Sequence, residues 1–329
     1  MSTEAPTTRR IVTMLKRFDY PRYSSFIALV VLFIISAALS PYFTRPGNLV
    51  NILNQVSYTG MIALGMTFVI ITGGIDLSVG SLVAFNATVG LLLLNVVMGG
   101  TRNEPLALAV GIGAALAIGL LSGLLNGFLV TRGALAPFIV TLGTMAIFRS
   151  LALFLGNAGE ITSQSPIFGA FGLTTILIFP VPVWVMLLLA VIMDVVLNQT
   201  RYGRYLQAVG SNSRVALFAA INVNRVKLLA YSITGLIVGV SSVLLSSRFN
   251  AVSTSSTGLG YELDAIAAVI IGGTPITGGR GTIWGTIVGA IVLGIINNML
   301  NLLSVSPYLQ GTVKGLVIIG AVYIQRQRA

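Results

Sequence analysis

Residues 105–131 read PLALAVGIGAALAIGLLSGLLNGFLVT, a stretch without a single charge. As a helix it would reach about 40 Å, more than the roughly 30 Å hydrocarbon core of a bilayer. Runs of this kind recur along the chain. Hydrophobic residues make up 55% of the 329 and charged residues only 8%, with a mean hydropathy of +0.95. Soluble domains carry about 25% charged residues, so this chain has too few to cover a surface facing water. The composition therefore implies an all-α integral membrane protein.

Apolar runs read against their breaks predict about ten transmembrane helices, at roughly 25–43, 50–72, 79–98, 105–131, 137–156, 182–199, 226–247, 262–276, 282–303 and 308–324. Two are weak. Segment 50–72 opens among Asn48, Asn51, Asn54 and Gln55, and segment 262–276 is short and opens with Glu262 and Asp264, so each is open to a broken or re-entrant reading. Residues 166–180, bounded by prolines, suit a short extracytoplasmic helix. The basic stretch up to Arg22 followed by apolar residues to Leu39 resembles a secretory signal, but its basic region is long, and a retained first helix is the better expectation.

The net charge of +11 would point to nucleic acid in a soluble protein. Here position decides its meaning, because Lys and Arg concentrate on the cytoplasmic side of membrane proteins. With the N-terminus inside and ten crossings, Arg9, Arg10, Lys16, Arg17, Arg22, Arg132, Arg201, Arg204, Arg214, Arg225, Lys227, Arg280, Arg326 and Arg328 lie inside. Arg45, Arg102 and Arg248 lie outside, and Arg149 and Lys314 fall within helices. Both termini are thus expected in the cytoplasm, with tails at 1–24 and 325–329 flanking a membrane domain at 25–324, and no nucleic-acid partner.

With no Cys and no His, the chain has no disulfides, thiolate nucleophiles, imidazole bases or usual zinc sites. Only oxygen-ligand metals stay open, and no metal, cofactor or catalytic residue is predicted. The glycine-rich run GGTPITGGRGT at 272–282 lacks the Lys-Ser/Thr pair of a phosphate-binding loop and reads as a tight cytoplasmic turn. Glycines spaced by four at Gly119, Gly123 and Gly127, at Gly235 and Gly239, and at Gly285 and Gly289 suit close helix packing within the chain. The runs from Val69 and Val269 align at an offset of 199, pairing Gly73–Gly74 with Gly272–Gly273, and predict a parallel internal repeat.

Carboxylates within membrane segments are functional candidates, since charge there is costly. Asp76 and Ser78 precede one helix, and Glu262 and Asp264 open another. For each, two readings stand: a helix cap, or a residue lining or gating a substrate path. The longest inner loop, 200–227, shows apolar positions broken at Gly210-Ser211-Asn212, implying two short amphipathic helices around a turn. They suit either a membrane surface or a groove on a cytoplasmic protein.

Three separated runs, Gly65 to Ser81 (GMTFVIITGGIDLSVGS), Arg204 to Asn212 (RYLQAVGSN) and Gly260 to Val269 (GYELDAIAAV), resemble the permease subunits of bacterial ABC importers for monosaccharides. The ribose type is nearest, with xylose, arabinose, galactose and galactofuranose types close by. The resemblance covers nearly the whole chain from about Ile27. It implies the ABC-importer permease architecture, a location in the bacterial inner membrane among its lipids, and a permease dimer of two copies or paralogues. Cytoplasmic ABC ATPase subunits that use ATP-Mg and a periplasmic sugar-binding protein would be its partners, so the chain itself would do no covalent chemistry. The family's coupling loop maps onto Tyr202 to Asn224, with Gly203, Arg204, Gly210, Asn212 and Ala219 as the expected coupling residues. Two departures bear on the fit to the ATPase: Val209-Gly210-Ser211-Asn212 stands where relatives usually carry Gly-Gly-Asn, and Ala219-Ala220-Ile221 where Gly-Ile is common. An ion-coupled secondary sugar carrier and a branched-chain amino-acid ABC permease are the competing readings.

Overall fold

A computed structural model describes residues 20–326. The tail residues 1–19 and 327–329, with the cations they carry, lie outside the described residues. Ten apolar helices occupy the ten expected segments: α1 (Tyr20–Leu39), α2 (Pro46–Ile71), α3 (Val79–Thr101), α4 (Glu104–Thr131), α5 (Pro137–Leu155), α7 (Val181–Gln199), α10 (Val223–Phe249), α11 (Tyr261–Ile271), α12 (Ile283–Leu302) and α13 (Pro307–Arg326). Seven of them, α2 to α5, α7, α10 and α12, are long and apolar enough to cross a membrane. Between them lie the short α6 (Pro166–Leu173), α8 (Arg201–Ser211) and α9 (Ser213–Phe218).

Local chemistry sets the ends. Proline stands in the first turn of α2, α4, α5, α6 and α7, where its missing N–H has no intrahelical partner to lose. The side chains of Asn103, Ser165, Thr200, Asn212, Asn222 and Thr282 cap the helices that follow them. Strand β1 (Glu160–Thr162) pairs antiparallel with β4 (Ala251–Ser253), and β2 (Thr175–Ile176) with β3 (Phe179–Pro180).

Helix α2 is the central post, with 83% of its membrane-length window buried against 28% for α4 and α5. It is continuous, not broken, because its polar opening is satisfied inside the bundle. Asn48 and Asn298 of α12 exchange amide hydrogen bonds of 3.0 and 2.8 Å, and Tyr58 donates to Asn54 at 3.0 Å. Segment 262–276 behaves oppositely: α11 has 11 residues, about 16 Å, half a hydrocarbon core.

Helices α4 and α10 meet through glycine. Gly119 and Gly123 press on the backbone of α10 at Gly235 and Tyr231, and Gly127 on Leu228. The glycines of α12 do the same against α11, Gly285 at Gly272 and Gly289 at Ala268. The four-residue spacing is therefore spent within the chain.

The two similar runs share a local cap. At the end of α2, Gly73 (φ +76°) donates to Ile70 and Gly74 to Val69; at the end of α11, Gly273 (φ +95°) donates to Ile270 and Thr274 to Val269. Glycine takes this left-handed conformation without the strain a Cβ would bring. The geometry pairs Gly73 with Gly273, an offset of 200 where the residue match suggests 199.

Candidate functional site

Asp76 lies in the turn between α2 and α3. Its Oδ1 accepts from the Ser78 N–H at 2.9 Å and the Ser78 hydroxyl at 2.6 Å, fixing the backbone that begins α3. Asn126 of α4 donates to the Ser78 hydroxyl at 2.9 Å, and the hydroxyls of Thr141 and Tyr231 point at the Ile75 carbonyl. Asp76 is 2% exposed and Ser78 fully buried. Tyr231 sits eight residues into α10, so this polar knot lies about 12 Å from that helix's start. Its geometry is that of a turn clamped by three helices.

Glu262 and Asp264 stand in the first turn of α11, preceded by Gly258 and Gly260 at φ +74° and +77°. Arg149 organises this approach by donating to the carbonyls of Thr254 and Thr257 at 2.9 and 3.0 Å. A guanidinium has five N–H donors and no acceptor, so paired carbonyls serve it as well as a carboxylate. Glu262, half buried, packs against Gly80 at the start of α3. Asp264 turns the other way and accepts from the Lys314 ammonium of α13 at 3.0 Å, the one ion pair among the described residues.

The four expected path residues therefore divide. Asp76 and Ser78 are sealed in the knot made by α4, α5 and α10, Glu262 packs against the same helix start, and of the four only Asp264, itself 8% exposed, borders an open space. That space is a cleft of about 290 Å³ among α2, α10, α11, α12 and α13, lined by Tyr58, Arg248, Tyr261, Asn297 and Lys314 among others. Arg248 lies over the rings of Tyr58 and Phe249 at 5.8 and 5.5 Å and donates to Asn51 at 3.4 Å. Lys314, Arg248 and Asn297 escape a residue-by-residue reading. The usable signal was Lys314 itself, a lone cation in an apolar run that needs a buried anion.

The loop 200–227 folds into α8 and α9. Leu206 and Val209 bury one face of α8 in the bundle, while Arg204 points to solvent. Gly203 packs against the Leu197 carbonyl at the end of α7. Gly210 is not in the turn: it lies in the last turn of α8, pressed on the Ile71 carbonyl of α2, and the chain breaks two residues later at Asn212 (φ −160°). The Asn212 side chain then accepts from the N–H groups of Arg214 and Val215 and starts α9. Ala219 ends α9 on the surface, with Leu217 and Phe218 beside it 63% and 90% exposed. The 272–282 turn joins the same junction, Gly279 N–H donating to the Ile71 carbonyl at 2.9 Å.

Buried polar knots, glycine-zipped helices and a surface helix pair seated on the end of the central helix define a multi-pass membrane permease. The chain belongs to the branched-chain amino acid transport system / permease component family, which it matches over residues 48–322. It is 42% identical to the ribose import permease protein of Bacillus subtilis (strain 168), over 98% of this chain and 99% of that one. It is also 40% identical to the ribose import permease protein of Escherichia coli (strain K12) over the full length of both. Identity to the D-allose transport system permease protein of Escherichia coli (strain K12) is 37%, over 93% of this chain and 92% of the other. No solved structure matches the chain. The protein is a multi-pass component of the bacterial inner membrane.

Proposed function

We propose that the chain forms the membrane path of an ATP-driven importer that carries a monosaccharide, with ribose as the first candidate. It is a permease and not an enzyme. Near-full-length similarity to sugar import permeases carries this reading. Under it, ten membrane segments place both termini and the α8–α9 pair in the cytoplasm, consistent with the distribution of Lys and Arg. Two copies, or this chain and a paralogue, pair in the lipid bilayer. A periplasmic binding protein delivers the sugar, and separate ABC ATPase subunits bind and hydrolyse ATP-Mg. The exposed Leu217 and Phe218, with the exposed Arg204 and Arg214 on the same helix pair, offer the apolar face and basic charge that a helix-in-groove contact with the ATPase requires. Gly203 and Gly210 seat the pair on α7 and α2, Asn212 and Ala219 bound α9, and motion imposed on the pair reaches the central helix at Ile71. The clamp at Asp76 and Ser78 and the brace at Glu262 hold the start of α3, and Asp264 lines the path.

The test is uptake of labelled D-ribose into proteoliposomes holding the permease and its ATPase, with binding protein outside and ATP inside. Uptake is expected to require ATP and to survive a protonophore. Uptake abolished by the protonophore at full ATP would overturn this reading in favour of an ion-coupled carrier.

A further inference from the structure

The cleft beside Asp264 has the chemistry of a ligand site. Asp264 and Lys314 neutralise each other at 3.0 Å, leaving a carboxylate and an ammonium that present an acceptor and a donor side by side. The Arg248 charge is already engaged by two ring faces and Asn51, so no free cation awaits an anion. The Asn297 side-chain oxygen is shut away from solvent and has no hydrogen-bond partner. An acceptor buried in that state costs free energy until a donor arrives. Tyr261 adds a partly exposed ring at the same wall. At about 290 Å³ the space lies at the bottom of the range for small-ligand pockets, about 300–1,000 Å³, and suits one sugar ring rather than a chain of them.

We propose that this cleft is a monosaccharide-binding site in the permease chain itself. Neighbouring ring hydroxyls bridge Asp264 and Lys314, the Asn297 amide, which lines the cleft, turns its buried oxygen to accept from another, and the Tyr261 ring covers an apolar C–H face. A neutral polyol satisfies every one of these groups, whereas a charged ligand would have to break the ion pair. The inference rests on the sugar-importer reading and adds to it that the membrane subunit, and not only a delivering protein, selects the sugar. Thirteen residues of α2 separate Tyr58 at the cleft from Ile71 under α8, about 20 Å along one buried helix, so occupancy and the cytoplasmic contact share a single rigid element.

The experiment compares uptake of D-ribose, D-allose and L-arabinose by the complete transporter in proteoliposomes. Asn297→Ala removes no charge and is expected to change the preference among the three sugars by about threefold or more. Asp264→Asn is expected to lower uptake about tenfold, in line with losing charged hydrogen bonds to the sugar. The exchanged pair, Asp264→Lys with Lys314→Asp, restores a tie between α11 and α13 but reverses donor and acceptor, and is expected to leave uptake low. Wild-type preference in Asn297→Ala, or recovery of wild-type uptake by the exchanged pair, would show that these groups only hold helices together and would overturn the site. Should Asp264 variants fail to accumulate, the Asn297→Ala preference decides alone. If the unaltered transporter carried leucine and none of the sugars, the sugar-importer reading would fall and this site with it.

Discussion

Adding one methyl group at Gly210 separates helix propensity from the contact that α8 makes with α2. A Cβ there would lie 2.6 Å from the Gly279 nitrogen and nearer still to the Ile71 carbonyl oxygen, where real Cβ atoms essentially never come within 3.0 Å. Both obstacles are backbone and cannot swing aside. Helix α8 must withdraw by about 1 Å or more, and much of the dispersion contact at this junction is lost. Taken alone, alanine favours a helix over glycine by roughly 0.8–1 kcal/mol, so the isolated α8 becomes a better helix. Overpacking costs about 1–3 kcal/mol, and it falls on the seat of the helix pair, not on the helix. As about 1.4 kcal/mol is tenfold in an equilibrium, Gly210→Ala is expected to lower ATP-driven uptake roughly tenfold at a normal amount of protein in the membrane. The assay is sugar uptake and ATP hydrolysis measured together in proteoliposomes, with Gly113→Ala, where the added methyl meets open space, as control. Wild-type uptake in Gly210→Ala at a normal amount of protein would show that transport does not depend on the α8–α2 contact and would refute the argument.

Ala220 holds a left-handed φ of +58° just past α9, where its N–H and that of Ile221 close the helix on Leu217 and Ala216. Ala220→Gly relieves the strain, and about 0.5–1 kcal/mol slower local opening is expected by hydrogen exchange across 213–221. Replacing Arg149 with Met removes two charge-assisted hydrogen bonds to Thr254 and Thr257. A loss of about 3 kcal/mol, seen as a lower Tm in detergent and easier proteolysis near 254–260, is the expected result, while an unchanged Tm would mean that the turn holds itself. Gly235→Val drives a side chain into the backbone of Gly119 and Gly123 and is expected to prevent stable accumulation of the protein, whereas Gly113→Val is expected to be tolerated at the surface of α4.

The seven helices long and apolar enough to cross a membrane were legible because a run of twenty apolar residues has one physical explanation. What was hidden depended on partners far away in the chain. Asn48 weakened the reading of α2 until Asn298 was found opposite it, 250 residues on. Arg149 was legible only as a cation within an apolar run, because its hydrogen-bond partners are backbone carbonyls, which leave no mark in a residue list. Gly210 looked like a turn residue because glycine usually marks turns, whereas here it is glycine because another backbone lies against it. The length of α11 was similarly obscure: the segment expected to run to 276 stops at Ile271, where Gly273 takes a positive φ and closes the helix on Ile270.

At the Ile71 carbonyl three stretches remote in sequence converge: the last turn of α2, Gly210 of α8 and the hydrogen bond from Gly279. The helix pair at 201–218 is thus not a detachable module. An engineer who grafts it from another importer, to recruit a different ATPase, would have to carry the 272–282 turn across with it, because the two segments are cut to fit one peptide group and each fixes the shape the other can take.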